Sequence, residues 1–271
     1  MNLIGTILVY VAFVTVFLGG VSVIRPLRFL GIASRPYGIF VVLCGIVVFL
    51  IGASLPAREE TIATQTTRLD DFMPAYQFSE FHSLRVKASP ERVYRALKEV
   101  RADEIFLFRT LVWIRRFGQT GPESILNPGH DLPLLDVATR TSFLLLAEEP
   151  NHEIVLGTLV AAPRGVRLKK DPTPEDFKAL HAPGFALAAT NFRIEAAPNG
   201  ETLITTETRV NATDAPTRKR FAAYWRTIYP GSALIRRMWL RAIRKRSENM
   251  IAPGDGVPRR PPANQTPPRT V

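Results

Sequence analysis

Glu207 and Arg209 stand two residues apart in the second strand of the clearest hairpin in the chain. Side chains two apart on a strand leave on the same face, so a carboxylate and a guanidinium would point the same way. Just before them, Asn199-Gly200 has the composition of a type I′ turn joining strands expected over residues 188–197 and 201–210. With a two-residue loop Pro198 pairs with Glu201, which sets Ile194 opposite Thr205, Phe192 opposite Glu207 and Thr190 opposite Arg209. The two charges then share a face with Phe192, Ile194, Ala196 and Leu203. If that face is buried they must pair or hold something polar, and they become the polar anchor of a mostly apolar ligand. Phe143, Leu145 and Trp225 are the further apolar residues expected around it. The alternatives are a surface ion pair, or a register moved by one residue, which sends both side chains outward.

Other chemistry is sparse. His82, His130, His152 and His181 show no metal-ligand spacing, and Cys44 has no second cysteine, so neither metal nor cofactor is expected. His130 and Asp131 are adjacent, but a catalytic dyad is defined by spatial geometry. The chain has no nucleophile elbow, P-loop or GxGxxG, so no catalytic residue is assigned and no positive reason to expect an enzyme emerges. The net charge of +11 is concentrated near the C-terminus. There Arg237, Arg241 and Arg244 recur at the spacing of one helix face. Beside a bilayer such a stripe can rest on anionic headgroups, worth about 1 kcal/mol per basic residue; away from one it is a solvated face. No stacking aromatics accompany it, so a nucleic-acid partner is not expected.

These side chains need elements to carry them. Residues 77–87 alternate as a strand, with Phe78, Glu80, His82, Leu84 and Val86 on one parity. Ser89-Pro90-Glu91 supplies an N-cap, an N1 proline and a first-turn acid, and Val93, Leu97 and Val100 form the stripe of the helix that follows. A second helix is expected over 103–116, and strands over 137–147 and 153–161. Thr173-Pro174-Glu175-Asp176 reads as a capping box for a short helix reaching Leu180. Residues 163–184 are either a plain connection or a lid over a cavity mouth. Residues 214–249 form the last helix, with Pro230-Gly231 expected to break or kink it and Ser232 placed to cap a restart.

The order is strand, two helices, antiparallel strands and a long terminal helix, an α+β class. With VKASPERVYRALKEV near the start and ETRVNATDAPTRKRFAAYWRTIYPGSALIRR at the end, it resembles the SRPBCC or START-like helix-grip superfamily. That superfamily includes polyketide cyclases and coenzyme-Q-binding START-like proteins. The resemblance implies a curved antiparallel sheet gripping the terminal helix over an apolar cavity. It does not imply which ligand fills the cavity.

The domain would occupy residues 74–251, after a polar linker at 58–73 and before a Pro-rich disordered tail at 252–271. Residues 1–57 are different in kind. With 46% hydrophobic and 22% charged residues overall, the apolar ones must be concentrated, and no charged residue occurs in 1–24 or 36–57. A span needs roughly 20 apolar residues to cross about 30 Å, which gives a transmembrane hairpin over 3–24 and 38–55. The first run lacks the basic start of a signal peptide, and a second run follows it at once. Gly19-Gly20, and Gly45 with Ala53, offer small contact surfaces, although no GxxxG is present. Arg25, Arg28 and Arg35 make the connector basic, so the positive-inside rule puts it in the cytoplasm and the domain outside. Together these readings describe a protein of the bacterial plasma membrane whose partners are the bilayer and an apolar small molecule or lipid; the alternatives are a cyclase- or hydrolase-like enzyme acting on a hydrophobic substrate, or a non-catalytic scaffold whose cavity is filled by its own side chains.

Overall fold

The computed structural model describes residues 3–250 apart from Phe117, Thr120, Gly121, Leu126, His130 and Asp131. The expected tail at 252–271 and the His130-Asp131 pair therefore lie outside the described residues.

Two helices long and apolar enough to cross a membrane open the chain, α1 (Leu3–Ile24) and α2 (Arg35–Ser54). The second starts earlier than position 38, because Ser34 takes the N-cap place and Pro36 fits the first turn. Gly5, Ala12 and Gly19 recur every seven residues on α1, as do Gly38, Gly45 and Gly52 on α2. A Cβ at Gly52 would lie 3.2 Å from the Gly5 carbonyl, one at Gly45 3.3 Å from that of Ala12, and one at Gly38 3.1 Å from that of Gly19. The absent GxxxG is thus replaced by a small residue every two turns, which keeps an antiparallel seam in contact along its length. Outward side chains such as Val14, Phe17, Phe40 and Leu43 remain exposed, unlike those of a core helix in a soluble protein. Gly45→Leu should lower the thermal midpoint in detergent, since overpacking costs about 1–3 kcal/mol. Gly20→Leu, where an added Cβ meets nothing within 4 Å, should leave it unchanged.

The rest of the chain is α+β. A five-stranded antiparallel sheet has the order β3 (Phe78–Val86), β7 (Thr202–Ala212), β6 (Ala186–Ala196), β5 (Glu153–Ala161), β4 (Leu144–Glu149). Its inner face receives α8 (Ala215–Asn249), with α4 (Pro90–Glu99) beside it. Phe192, Ile194, Ile204 and Leu156 from the sheet pack against Trp239, Leu240 and Ile243 of α8 and Val93 and Leu97 of α4. Phe78, Val210 and Ala188 meet Phe221 and Trp225 further along α8.

Residues 58–73 are not a plain linker. They hold β1 (Glu60–Thr61), which pairs with β2 (Ala75–Tyr76), and α3 (Arg68–Phe72). Thr67 and Asp70 close a capping box on α3, a start signal that lies hidden among polar residues. Leu69 and Met73 pack on the outer face of the sheet with Val155 and Leu187, and Phe177 of α7 (Pro174–Ala179) joins them. The Thr173–Asp176 box forms as expected. Its helix covers the sheet's outer side, across the sheet from α8.

The strand expected at 137–147 is instead α6 (Leu134–Thr141) followed by β4. Val137, Thr139 and Thr141 favour strand on propensity, but Thr139 and Thr141 donate their hydroxyls to the carbonyls of Leu135 and Val137. Leu134, Leu135 and Ala138 meanwhile make a buried helical face. The helix expected at 103–116 narrows to α5 (Phe108–Arg115), preceded by Leu107 at φ 56. Helix α8 runs unbroken through Pro230. Proline removes the ladder hydrogen bond that would end on the Arg226 carbonyl, and the next carbonyl, that of Thr227, accepts from the Tyr10 hydroxyl at 2.6 Å. Tertiary contacts on both sides hold the rest of the helix together, so no restart is needed and Ser232 caps nothing.

The β6–β7 turn has the expected backbone but a different register. Asn199 and Gly200 are both left-handed, at φ 63 and 72, and the Glu201 N–H donates to the Pro198 carbonyl at 3.3 Å. A regular pair at the turn also needs an N–H from residue 198, which proline lacks. The Ala197 N–H donates to Glu201 instead, at 2.8 Å. The register moves by one: Ile194 faces Ile204, Phe192 faces Thr206, and Glu207 faces Asn191.

Candidate functional site

That one-residue slip moves the charged pair. Glu207 and Arg209 leave on the outer face, so they are not the anchor of an inner cavity. They are not solvated either, since Arg209 is only 4% exposed. Its Nη1 donates to Asp70 Oδ1 at 2.6 Å and to the Met73 carbonyl at 3.2 Å, while Nε donates to Glu207 Oε1 at 2.7 Å. Burial alone would raise the Asp70 carboxyl, but the Thr66 N–H, the Arg209 guanidinium and the Thr67 N–H outweigh it and hold it below the usual carboxylate range. Beside this group, buried Glu153 accepts from the Arg68 N–H at 3.0 Å and from Asn191 Nδ2 at 2.6 Å. The outer-face charges therefore fasten α3 to the sheet, a structural task.

The inner face holds the cavity. A space of about 380 Å³ lies between β5, β6 and β7 on one side and α5 and α8 on the other, and Phe143 contributes to its wall. Most of the wall is apolar: Phe108, Val112, Leu156, Phe192, Ile228 and Ile235. Its volume falls in the range of small-molecule sites, which typically combine apolar walls with a few placed polar groups.

The polar groups here come from α8 and its neighbours. Arg236 lines the cavity, and its Nη1 donates to Thr190 Oγ1 at 3.2 Å. Thr190 in turn accepts from the Thr208 hydroxyl at 2.8 Å. Behind Arg236, Glu80 is fully buried; its Oε1 lies 3.7 Å from Arg236 Nε and 2.8 Å from His82 Nε2. Arg237 Nε donates to His82 Nδ1 at 3.5 Å, which fits a ring carrying its proton on Nε2 toward Glu80. Burial lowers the pKa of the Arg236 guanidinium, with Glu80 opposing and Arg115 adding to the shift. An arginine stays charged through such a shift.

Several buried donors around the cavity have no acceptor among the described residues. They are Arg236 Nε and the indole N–H groups of Trp225 and Trp239, all three on lining residues. Arg115 reaches the wall from α5 and donates to the Tyr224 hydroxyl at 2.5 Å. The cavity is thus apolar over most of its wall, with Arg115 and Arg236 as its charged lining. Two cationic side chains in a mostly apolar wall suit a ligand that brings oxygen acceptors. Glu80 and His82 sit behind Arg236 and do not line the cavity.

Of the residues expected around a ligand, Phe143, Phe192 and Trp225 line the cavity. Ile194 is buried in the adjoining core, and Leu145 is 40% exposed on the edge strand β4. Arg237 and Arg241 are exposed on α8, and Arg244 is half-buried. Sequence reasoning missed Arg236, which stands in a crowd of basic residues. The available signal was its position eleven residues after Trp225, about three helical turns, hence on the same face.

No family model and no curated protein matches the chain. Among solved structures it is similar to protein MLL2253 from Mesorhizobium loti, at 14% identity and a TM-score of 0.30, covering 63% of this chain and 97% of that one. It is similar also to hypothetical protein jhp0584 from Helicobacter pylori, at 10% identity and 0.33, covering 69% and 98%. A conserved protein from Geobacillus kaustophilus aligns at 13% identity and 0.31, over 63% and 95%.

Proposed function

We propose that the chain is a membrane-anchored binding protein. In this reading α1 and α2 span the bilayer, and the α+β domain is a START-like helix-grip module. One hydrophobic, lipid- or quinone-like molecule occupies the cavity with an oxygen-bearing end at Arg236. The observation that carries the reading is the pairing of apolar walls with two half-buried arginines, Arg115 and Arg236, that line the same cavity. Binding, with no chemical conversion, is the reading because neither Glu80 nor His82 reaches the cavity wall.

The anchor reading rests on the length of both helices and on the apolar side chains they turn outward. The arginines of the connector, Arg25, Arg28 and Arg35, favour a cytoplasmic loop and an extracytoplasmic domain.

Native mass spectrometry of the full chain, released from its membrane in mild detergent, tests the binding claim. We expect a bound species that adds the mass of one amphiphile and is stripped by organic solvent. Recovery of the bare chain alone, across several detergents, would contradict it.

A further inference from the structure

Between Phe221 and Ile235, α8 carries a single charged residue, Arg226. Arg226 is only 2% exposed. Its guanidinium donates to the carbonyls of Gly52 at 3.1 Å, Ala53 at 2.9 Å and Leu55 at 2.8 Å, the last turn of α2 and the residue after it. What α8 shows to the outside over this stretch is Tyr224, Thr227, Pro230, Gly231 and Leu234, all uncharged. The same face becomes basic at both ends. Arg220, Thr227, Leu234 and Arg241 lie at intervals of seven, nearly one line on a helix, and Arg220 and Arg241 are exposed.

An uncharged exposed face bounded by arginines is the pattern of a helix lying in a membrane interface. The docking of α8 on the hairpin puts that face at the matching level. The Tyr10 hydroxyl reaches the Thr227 carbonyl. Tyr10 lies seven residues into α1, about 10 Å from its first residue at about 1.5 Å per residue. If α1 spans the bilayer, Thr227 lies below the plane in which α1 begins. An exposed cluster of large apolar residues outside the hairpin sits beside it. Phe106, Leu107, Trp113 and Ile114 surround α5 and are 43–69% exposed. Helix α5 is held to α8 by the bond from Arg115 to Tyr224, with the guanidinium 5.8 Å from the centre of the Tyr224 ring.

We propose that the uncharged face of α8 from Tyr224 to Leu234, together with the apolar residues around α5, forms an interfacial surface seated in the headgroup–acyl boundary of the bilayer that holds α1 and α2. This rests on the reading of α1 and α2 as spans, and it deepens the binding proposal. Both elements also wall the cavity, through Phe108 and Val112 on one and Ile228 and Ile235 on the other. A ligand then passes between α5 and α8 directly from lipid. The exposed stripe at Arg237 and Arg241 continues the same face one to two turns further on, where its guanidiniums meet phosphate oxygens.

The test uses the full chain in phosphatidylglycerol-containing vesicles, with Cys44→Ser and one new cysteine at a time carrying an environment-sensitive fluorophore. Positions Leu234 and Ile114 probe the proposed surface, Leu43 the outward side of α2, and Glu175 the far side of the domain. We expect the probes at Leu234, Ile114 and Leu43 to be quenched severalfold more by spin-labelled lipid than by aqueous iodide, and the probe at Glu175 to show the reverse. Lipid quenching at Leu43 with iodide quenching at Leu234 and Ile114 would overturn the surface while leaving the spans intact. Iodide quenching at Leu43 as well would bring down the span reading and this proposal together. Quenching of Leu234 and Ile114 by neither agent would mean that protein covers the face, and would equally overturn it.

Discussion

Replacing Arg236 with leucine should weaken the binding of a long-chain fatty acid by about a hundredfold while leaving the domain folded. Removing one side of a buried, hydrogen-bonded charge contact costs about 2–5 kcal/mol, and 1.4 kcal/mol is a factor of ten. The carboxylate would lose the guanidinium of Arg236, a cation on the cavity wall, and part of the positive field that Arg236 shares with Arg115. Folding should survive because Glu80 keeps its 2.8 Å contact with His82 and lies 3.7 Å from Arg236, beyond a direct hydrogen bond. Quenching of Trp225 and Trp239 fluorescence during titration provides the reading, since both indoles line the cavity. A fatty alcohol of equal length is the control, and its affinity should differ little between the two proteins. Equal fatty-acid affinities would remove Arg236 as the anchor.

The second large effect concerns Arg209. Arg209→Met leaves Asp70 and Glu207 buried or nearly so without their shared cation, and breaking a buried pair from one side costs about 3–5 kcal/mol. Urea unfolding of the full chain in detergent should show that loss, with amide exchange rising first over residues 66–73. The triple variant Arg209→Met, Asp70→Asn, Glu207→Gln should recover much of it, because no uncompensated charge remains. The pH dependence has a definite sign. Asp70 is held below its ordinary value, so its contribution is complete above the normal carboxylate range, about 3.9, and is lost as pH falls through the lowered value. Wild type should therefore loosen over 66–73 in acid, and the triple variant should show a smaller change.

The sequence reveals some parts of this molecule clearly and others not at all, for reasons that particular residues make plain. Charge-free stretches mark α1 and α2, because runs so long and so uniformly apolar are rare elsewhere in a chain. Ser89-Pro90 and Thr173–Asp176 mark helix starts, because capping is a local interaction. Strand β5 falls at Glu153–Ala161 as expected. What fails depends on distant partners. Helix α6 goes against the strand preference of its threonines because Leu134, Leu135 and Ala138 find the core together. Helix α3 looks like linker until Arg209 arrives from β7 to pair with Asp70. The hairpin turn is legible in Asn199-Gly200, yet a missing N–H on Pro198 reassigns every side chain after it. The candidate site changed identity for that reason. The charged pair with the more conspicuous spacing became a fastener on the outer face, and an arginine among many became part of the cavity wall.

The clasp of Arg226 on the end of α2 has a consequence for the order in which the chain is built. Its partners Gly52 and Ala53 precede it by 174 and 173 residues. The closing carbonyls of α2 therefore stay uncovered until nearly the whole chain has been synthesised. The earliest helices and the last one mature in a single late event. That makes this a contact of very long range, of the kind that slows folding. It also ties the fate of the two parts together. A chain shortened to begin after Leu55 would lose the Gly52, Ala53 and Leu55 carbonyls that hold Arg226 and would open to water the face of α8 that the hairpin covers.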